Sequence, residues 1–316
     1  MHVHIDLFIA TGNLIISQNN NTHIIFKSFL QNLNVEYMLE VIRVLVLLAF
    51  ATLYAYFDIF NKRSIPNSFA YFSIAVGIVF TFFYPFKTLE LSLLIAAFVV
   101  AAGYILYKAG FLGLGDGLEL AFVSLMLPIQ PTPLLHIPQL GLPFVLSVFI
   151  SSGIVAIIAL PIYYMLNSKP ELRKESVIKA FVVFISYLVL LMFIYLLLGN
   201  MALIPVVFII IIAFFSALIF LFEASMNKRM ITWIYPSKLG EDDIIAINLM
   251  SKKDIMFFKS KYSGFGRLAD RKAIVALKSI KKKIPVYTNA IPFSVFILAG
   301  IILSLLIGDP ILFILF

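Results

Sequence analysis

The sequence predicts an all-α polytopic membrane protein of about six to eight transmembrane helices, with a small cytoplasmic α+β domain inserted before the last helix. Hydrophobic residues make up 62% of the 316 residues and charged residues 13%, whereas a soluble domain is nearer one half and one quarter. Eight apolar runs have the length that a spanning helix needs, about 20 residues. Only residues 223–290 form a long stretch that is polar and basic by comparison.

The eight apolar runs follow one another with short connections, except where residues 223–290 separate the last two. The fourth run differs from the others because it contains three glycines and Asp116, and a proline-rich loop from Pro128 to Pro143 follows it. The predicted spans are 39–57, 68–86, 89–107, 111–129, 143–166, 180–198, 203–222 and 291–307.

The basic residues predict the orientation of these spans. If the chain enters the first span from outside, the loops on the cytoplasmic side hold 21 of the 24 Lys and Arg residues. Such an excess is typical of cytoplasmic loops in membrane proteins. We therefore assign the net charge of +8 to membrane topology, and we expect a lipid bilayer rather than nucleic acid as the partner of the basic side chains.

The composition also limits the chemistry. The chain has no cysteine, which excludes disulfides and cysteine-ligated metal sites. Its four histidines lack the spacing of a metal-binding motif. We therefore predict neither a metal nor an organic cofactor.

Two acidic residues lie where a membrane protein would be expected to avoid them. Asp58 closes the first span, and Asp116 lies about one turn inside the fourth. The predicted orientation puts both near the cytoplasmic face. Ionisable residues in spans are costly and often functional. Two adjacent carboxyl groups share one proton, so that one carboxylate can activate water while the other donates to a scissile carbonyl. The pair therefore predicts aspartic protease chemistry.

Three glycines surround Asp116 in the sequence GLGDG. Gly113, Gly115 and Gly117 remove side chains there, so a neighbouring helix or a substrate backbone can come close. We interpret them as residues that shape the site.

Other interpretations of the acids stay open at this stage. Asp58 could be a helix-end acid paired with Lys62 or Arg63, and Asp116 could be a buried acid bonded to the backbone. A transporter or channel would use the same two acids as a proton or cation relay. A non-catalytic membrane assembly protein would use Asp116 only structurally.

The polar segment 223–290 is interpreted as the soluble domain. The short run Ile255–Phe258 predicts a strand. Arg267–Lys283 predicts a basic amphipathic helix that packs on this domain or lies at a membrane surface.

Two motifs together resemble the type IV prepilin peptidase family of GxGD aspartic proteases. One is Gly113-Leu114-Gly115-Asp116. The other is Asp58 followed, after a basic turn, by Ile65-Pro66-Asn67. The resemblance covers residues 40–130. A soluble domain before a last span that opens Ile291-Pro292-Phe293 is similar to the archaeal branch, the preflagellin and prepilin peptidases.

The resemblance implies a membrane-embedded aspartic endopeptidase with Asp58 and Asp116 as its catalytic pair. Its substrates would be pilin-like or archaellin-like precursors with a short basic leader and a hydrophobic helix, cleaved at the cytoplasmic face. Pro66 and Asn67 would set the turn after Asp58. Another GxGD intramembrane protease is the alternative within this class, but the tyrosine that precedes the first aspartate in presenilin-type relatives is Phe57 here.

The chain also departs from the family. Bacterial relatives carry an N-terminal cysteine-bearing domain and methylate their product, and this chain has no such domain, so methylation is not implied. They tend to have a lysine at the position of Leu118, which Glu119 follows here. Archaeal relatives usually have six spans. Either two of the three spans 143–166, 180–198 and 203–222 are additional, or the division into eight runs is too fine.

These expectations divide the chain into five parts and name its docking residues. A basic leader needs an acidic partner, for which the candidates are Glu119 and the run Glu241-Asp242-Asp243. The parts are an N-terminal extension (1–38), the catalytic core (39–130), additional spans (131–222), the soluble domain (223–290) and the last span (291–316).

Overall fold

Helices make up most of the protein. The computed structural model describes residues 20–61, 65–109, 112–134, 141–167, 173–199, 203–240, 243–287, 292–310 and 312. Within these residues one two-stranded sheet accompanies the helices, which confirms the predicted class of polytopic all-α protein with a small domain that contains strands. Residues 43–316 form one compact unit.

Each predicted span overlaps one apolar helix, although several helices begin or end elsewhere than predicted. They are α1 (Asn20–Phe60), α2 (Asn67–Thr81), α3 (Phe86–Lys108), α4 (Leu114–Met126), α5 (Phe144–Asn167), α6 (Lys174–Leu198), α7 (Leu203–Met230) and, after the soluble domain, α10 (Phe293–Ile307). Helix α1 continues without a break from residues that we expected to form part of an N-terminal extension.

Five helices of the described chain are long and apolar enough to cross a membrane. Two further apolar helices, α2 and α10, have 15 residues each, and α4 has 13. The prediction of eight spans of about 20 residues is therefore too long for these three helices. Helix α2 gives way to a turn before Pro85, and α10 begins only after Pro292.

Helix α4 lies at the centre of the membrane-embedded part. Every residue from Glu119 to Met126 is buried, as expected for a helix with neighbours on all sides. The core around it contains Leu47 from α1, Ile95 from α3, Val148 from α5 and Ile297 from α10.

The soluble domain lies between α7 and α10 in the chain. It contains β1 (Ile231–Ile234), α8 (Lys252–Lys261), α9 (Arg271–Leu277) and β2 (Ile284–Tyr287). The two strands are antiparallel, with Ile231 opposite Tyr287. Strand β1 follows α7 without a loop. The chain enters the domain at Ile231 and the last strand ends at Tyr287, and these two residues are paired in the sheet.

The structure corrects both secondary-structure predictions in this domain. The run Ile255–Phe258 was predicted as a strand and lies in α8, which begins where the Ser251 hydroxyl accepts the amide hydrogen of Asp254 at 3.1 Å. Ile255 is half-buried and Phe258 fully buried, whereas Met256 and Phe257 between them are exposed. A spacing of three residues between buried positions belongs to a helix. The helix predicted over 267–283 is limited to α9, because Leu268 pairs with Ile244 and residues 284–287 join the sheet.

Candidate active site

Asp58 lies at the C-terminal end of α1 and is only 6% exposed. The backbone N–H of Ser294, in the first turn of α10, donates to Asp58 Oδ2 at 3.1 Å. Amide hydrogens in a first helical turn have no partner within their own helix, and the helix dipole there favours a negative charge. The start of α10 therefore stabilises a carboxylate at Asp58.

Asp116 is the third residue of α4 and is partly exposed. The backbone N–H of Gly113 donates to Asp116 Oδ2 at 3.1 Å, which caps the helix. The hydroxyl of Ser294 donates to Asp116 Oδ1, also at 3.1 Å. Asp116 thus has the hydrogen bond to the backbone that a purely structural role would predict. It also has a hydrogen bond to Ser294 of α10.

Ser294 connects the two aspartates. Its amide bonds Asp58, its hydroxyl bonds Asp116, and its own side chain is fully buried. Sequence reasoning missed this residue. The available signal was a small polar residue at the cytoplasmic end of the last predicted span, on the membrane face already assigned to both acids.

The two sequence motifs contact each other. A methyl group on Gly115 would lie 2.7 Å from Ile65 Cδ1 and 2.9 Å from Ile65 Cβ. Only the absence of a side chain on Gly115 makes room for Ile65. Pro66 immediately precedes α2, and its carbonyl accepts the amide hydrogens of Phe69 and Ala70 at 3.0 Å. Asn67 is the first residue of that helix.

The other two glycines around Asp116 are also in close contacts. A methyl group on Gly113 would lie 2.8 Å from Asp116 Oδ2. One on Gly117 would lie 3.3 Å from the Cα of Gly103, where α4 and α3 meet backbone to backbone. A side chain at any of these three positions would therefore crowd a neighbouring atom.

Glu119 lies one turn beyond Asp116 on α4 and is 1% exposed. Neither carboxyl oxygen has a hydrogen-bond partner among the described residues. Ser294 is close enough to interact with it, although the Ser294 hydroxyl is bonded to Asp116. Such burial argues against Glu119 as a surface residue on which a leader docks.

The remaining predicted residues lie away from this cluster or outside the described residues. Asp243 belongs to the soluble domain, where its Oδ2 accepts the amide hydrogen of Gly240 at 2.7 Å. Glu241, Asp242, Lys62 and Arg63 lie outside the described residues.

The geometry supports acid–base chemistry at a shared point. One carboxyl group at the end of α1 and one at the start of α4 are held by the same serine at the start of α10. Backbone amides of Ser294 and Gly113 donate to Asp58 and Asp116, respectively, and help to keep both side chains in place. Such a pair can hold one proton between its members, so that one accepts a proton from water while the other donates.

Comparison with known families gives a match over part of the chain. The family model of the type IV leader peptidase family matches residues 45–162, which include Asp58 and Asp116 but not Ser294. Comparison with the curated proteins and with the solved structures gives no match.

Proposed function

We propose that Asp58 and Asp116 are the catalytic pair of a multi-pass aspartic leader peptidase. The match of residues 45–162 to the type IV leader peptidase family supports this proposal. Its substrates are precursors of the pilin or archaellin type. The enzyme removes a short basic leader at the cytoplasmic face of the membrane.

One observation carries the assignment of the catalytic pair. Asp58 and Asp116 are 58 positions apart in the sequence, yet both bond to Ser294 at 3.1 Å. A proton or cation relay would need polar groups across the membrane, often near its middle. The cluster of three helix ends supports a hydrolytic site near one face instead.

The proposed reaction follows from the shared proton. The ionised carboxylate of the pair takes a proton from a water molecule, whose oxygen attacks the scissile carbonyl carbon, while the protonated member donates to the carbonyl oxygen. Collapse of the tetrahedral intermediate breaks the C–N bond. The leaving amine takes a proton from one carboxyl group while the other carboxylate takes a proton back from a hydroxyl of the intermediate, which restores the single shared proton. The amide of Ser294 stabilises the ionised form of Asp58 during this cycle.

The predicted orientation supports the place of cleavage. The C-terminal end of α1 and the N-terminal ends of α4 and α10 all lie on the side that carries most basic residues. A precursor whose hydrophobic helix lies in the bilayer would present its leader junction at that face. The soluble domain between α7 and α10 supports placement in the archaeal branch.

We retain Glu241, Asp242 and Asp243 as a proposed docking patch for the basic leader. The expected effect of neutralising all three is a higher KM for precursors with basic leaders, because opposite charges steer and hold such substrates. An unchanged kcat/KM in the triple variant contradicts this part of the proposal.

The test of the proposed function is cleavage of a prepilin-like or prearchaellin-like precursor in membranes, followed by gel shift. Wild type is compared with Asp58→Asn and Asp116→Asn, and Glu90→Gln serves as the control because Glu90 is an exposed acid on α3. Each aspartate variant should lose cleavage by about 1,000-fold or more, because the two groups act as a unit. Expression of all variants is checked by immunoblot.

Two outcomes contradict the proposal. Cleavage by both aspartate variants at the wild-type rate would refute the assignment of Asp58 and Asp116 as the catalytic pair. If the wild-type protein cleaves none of the leader-bearing precursors, the proposed class of substrate is wrong.

A further inference from the structure

Glu119 is a buried carboxyl group that the proposed reaction does not use. It lies on the same face of α4 as Asp116, three residues later. Its side chain is 1% exposed, and neither oxygen has a hydrogen-bond partner among the described residues. An ionised carboxylate without partners in such surroundings would carry the desolvation penalty of a buried unpaired charge.

The neighbours of Glu119 add to this cost. The groups that interact with Glu119 include Asp58 and Tyr54 from α1, Asp116 from its own helix, and Ser294 from α10. None of them carries a positive charge, and two are acids. A negative charge on Glu119 would therefore be repelled by the catalytic pair. Both the burial and the neighbours favour the neutral form of Glu119, which is a hydrogen-bond donor.

The Ser294 hydroxyl oxygen can accept a hydrogen from such a donor. A hydroxyl group has one hydrogen and two lone pairs, and the hydroxyl of Ser294 can rotate toward Asp116 or away from it. If a second group donates a hydrogen to Ser294 Oγ, the hydroxyl hydrogen of Ser294 points away from that group. It then points toward Asp116 Oδ1, to which the structure shows a hydrogen bond of 3.1 Å. Hydrogen bonds of this kind are often long in a free enzyme and tighten when the substrate binds.

We propose that Glu119 is a positioning residue that donates, as a neutral carboxylic acid, toward the Ser294 hydroxyl and thereby fixes the hydrogen bond from Ser294 to Asp116. This inference rests on the proposed function. It assigns Glu119 a role inside the protein in place of the docking role. A neutral donor at this position should therefore preserve activity, and an apolar side chain should not.

The first experiment compares Glu119→Gln with Glu119→Leu in the membrane cleavage assay. Glutamine keeps a neutral donor of the same length, so kcat should stay within about threefold of wild type. Leucine keeps the volume but has no donor, so kcat should fall by about tenfold or more while KM stays unchanged. Glu90→Gln is the matched control, and thermal unfolding in detergent shows whether each variant is folded.

Three results of this assay overturn the proposal. Loss of cleavage in Glu119→Gln, with wild-type stability, assigns an ionised carboxylate to Glu119. Wild-type kcat in Glu119→Leu leaves the residue without a role in catalysis. A higher KM in Glu119→Gln for basic leaders only, with unchanged kcat, restores the docking role.

A second measurement does not depend on any substrate. The infrared difference spectrum of wild type minus Glu119→Gln at neutral pH should contain the carbonyl stretch of a protonated carboxylic acid. The carboxyl groups of Asp58 and Asp116 are common to both proteins and cancel. A carboxylate band in its place overturns the proposal even if no precursor is found. Conversely, failure of wild type to cleave any precursor, with the protonated band present, counts against the proposed function alone.

Discussion

Ile65 fills the space above Gly115 that any side chain there would need. The distance from Ile65 Cδ1 to a methyl group on Gly115 would be 2.7 Å, which real side chains do not adopt. The segment after Asp58 and the segment before Asp116 thus hold each other in place. This contact joins the two motifs physically, and it predicts that they depend on each other.

Gly115→Ala should reduce kcat/KM by about 10- to 100-fold, because the displaced Ile65 moves the segment that leads from Asp58 and a misplacement of about 1 Å has effects of that size. The double variant Gly115→Ala with Ile65→Ala should recover part of the loss, since the smaller side chain gives the methyl group room. The measurement is cleavage kinetics in a double-mutant cycle. Gly153→Ala is the control, because a methyl group on Gly153 meets nothing within 4 Å. Equal losses in the single and double variants would show that this contact is not the cause.

Ser294→Ala should lower kcat by about tenfold and leave KM unchanged. The substitution removes the hydroxyl that bonds Asp116 but keeps the amide that bonds Asp58. Ser304 offers a matched control in the same helix, since it is equally buried and its hydroxyl bonds Ser151 at 2.9 Å. Ser304→Ala should cost about 1 kcal/mol of stability through that lost bond without lowering kcat. Equal kcat values in the two variants would remove the special role of Ser294.

Gly103→Ala should destabilise the membrane-embedded part by about 1–3 kcal/mol, as overpacking does elsewhere. The new methyl group would lie 3.1 Å from the Cα of Gly117, which is backbone and cannot turn aside. The measurement is thermal unfolding in detergent, with Gly153→Ala as the control that should be no less stable than wild type. A Gly103→Ala protein as stable as wild type would mean that α3 and α4 can separate without loss.

The soluble domain should lose stability in acid through Asp254. Lys282 donates a hydrogen bond to this carboxylate and holds the pKa of Asp254 below its ordinary value. Because the pKa is lower in the folded state, the contribution is present above the unfolded pKa, about 4, and is lost as the pH falls through the folded value. The sole tryptophan of the chain, Trp233 in β1, reports unfolding of the domain by its fluorescence.

The urea midpoint of that signal should therefore fall between pH 6 and pH 3, and the fall should be smaller in Asp254→Asn. Lys282→Gln should show the same reduction, because it removes the other half of the pair. A full acid effect in both variants would assign the pH dependence to other groups.

Much of the membrane part could be predicted from hydropathy. Apolar runs locate helices because the cost of exposing a backbone to lipid leaves a spanning segment no other structure. Their exact lengths depended on local residues, such as Pro292 at the start of α10, that a count of apolar residues does not weigh. In the soluble domain, short runs such as Ile255–Phe258 fit a strand or a helix equally well by composition. Only the capping contact of Ser251 and the burial of Phe258 decide for a helix.

The acids of the candidate site could be predicted, but their partner could not. Asp58 and Asp116 are conspicuous because charges are rare in apolar runs. Ser294 is 236 positions from Asp58, and a serine in an apolar helix carries no such signal. The burial of Glu119 was equally hidden, since a glutamate near a helix end is usually in contact with water. Long-range packing decides both.

The pairing of Ile231 with Tyr287 has a consequence for how this architecture can vary. The chain leaves the membrane-embedded part and returns to it at neighbouring points of one two-stranded sheet. An inserted segment whose ends lie side by side can be exchanged, enlarged or removed while the flanking helices keep their positions. Domain insertions are generally tolerated at such sites. The segment between these two strands can therefore be exchanged between relatives as a unit, with Asp58, Asp116 and Ser294 expected to keep their positions.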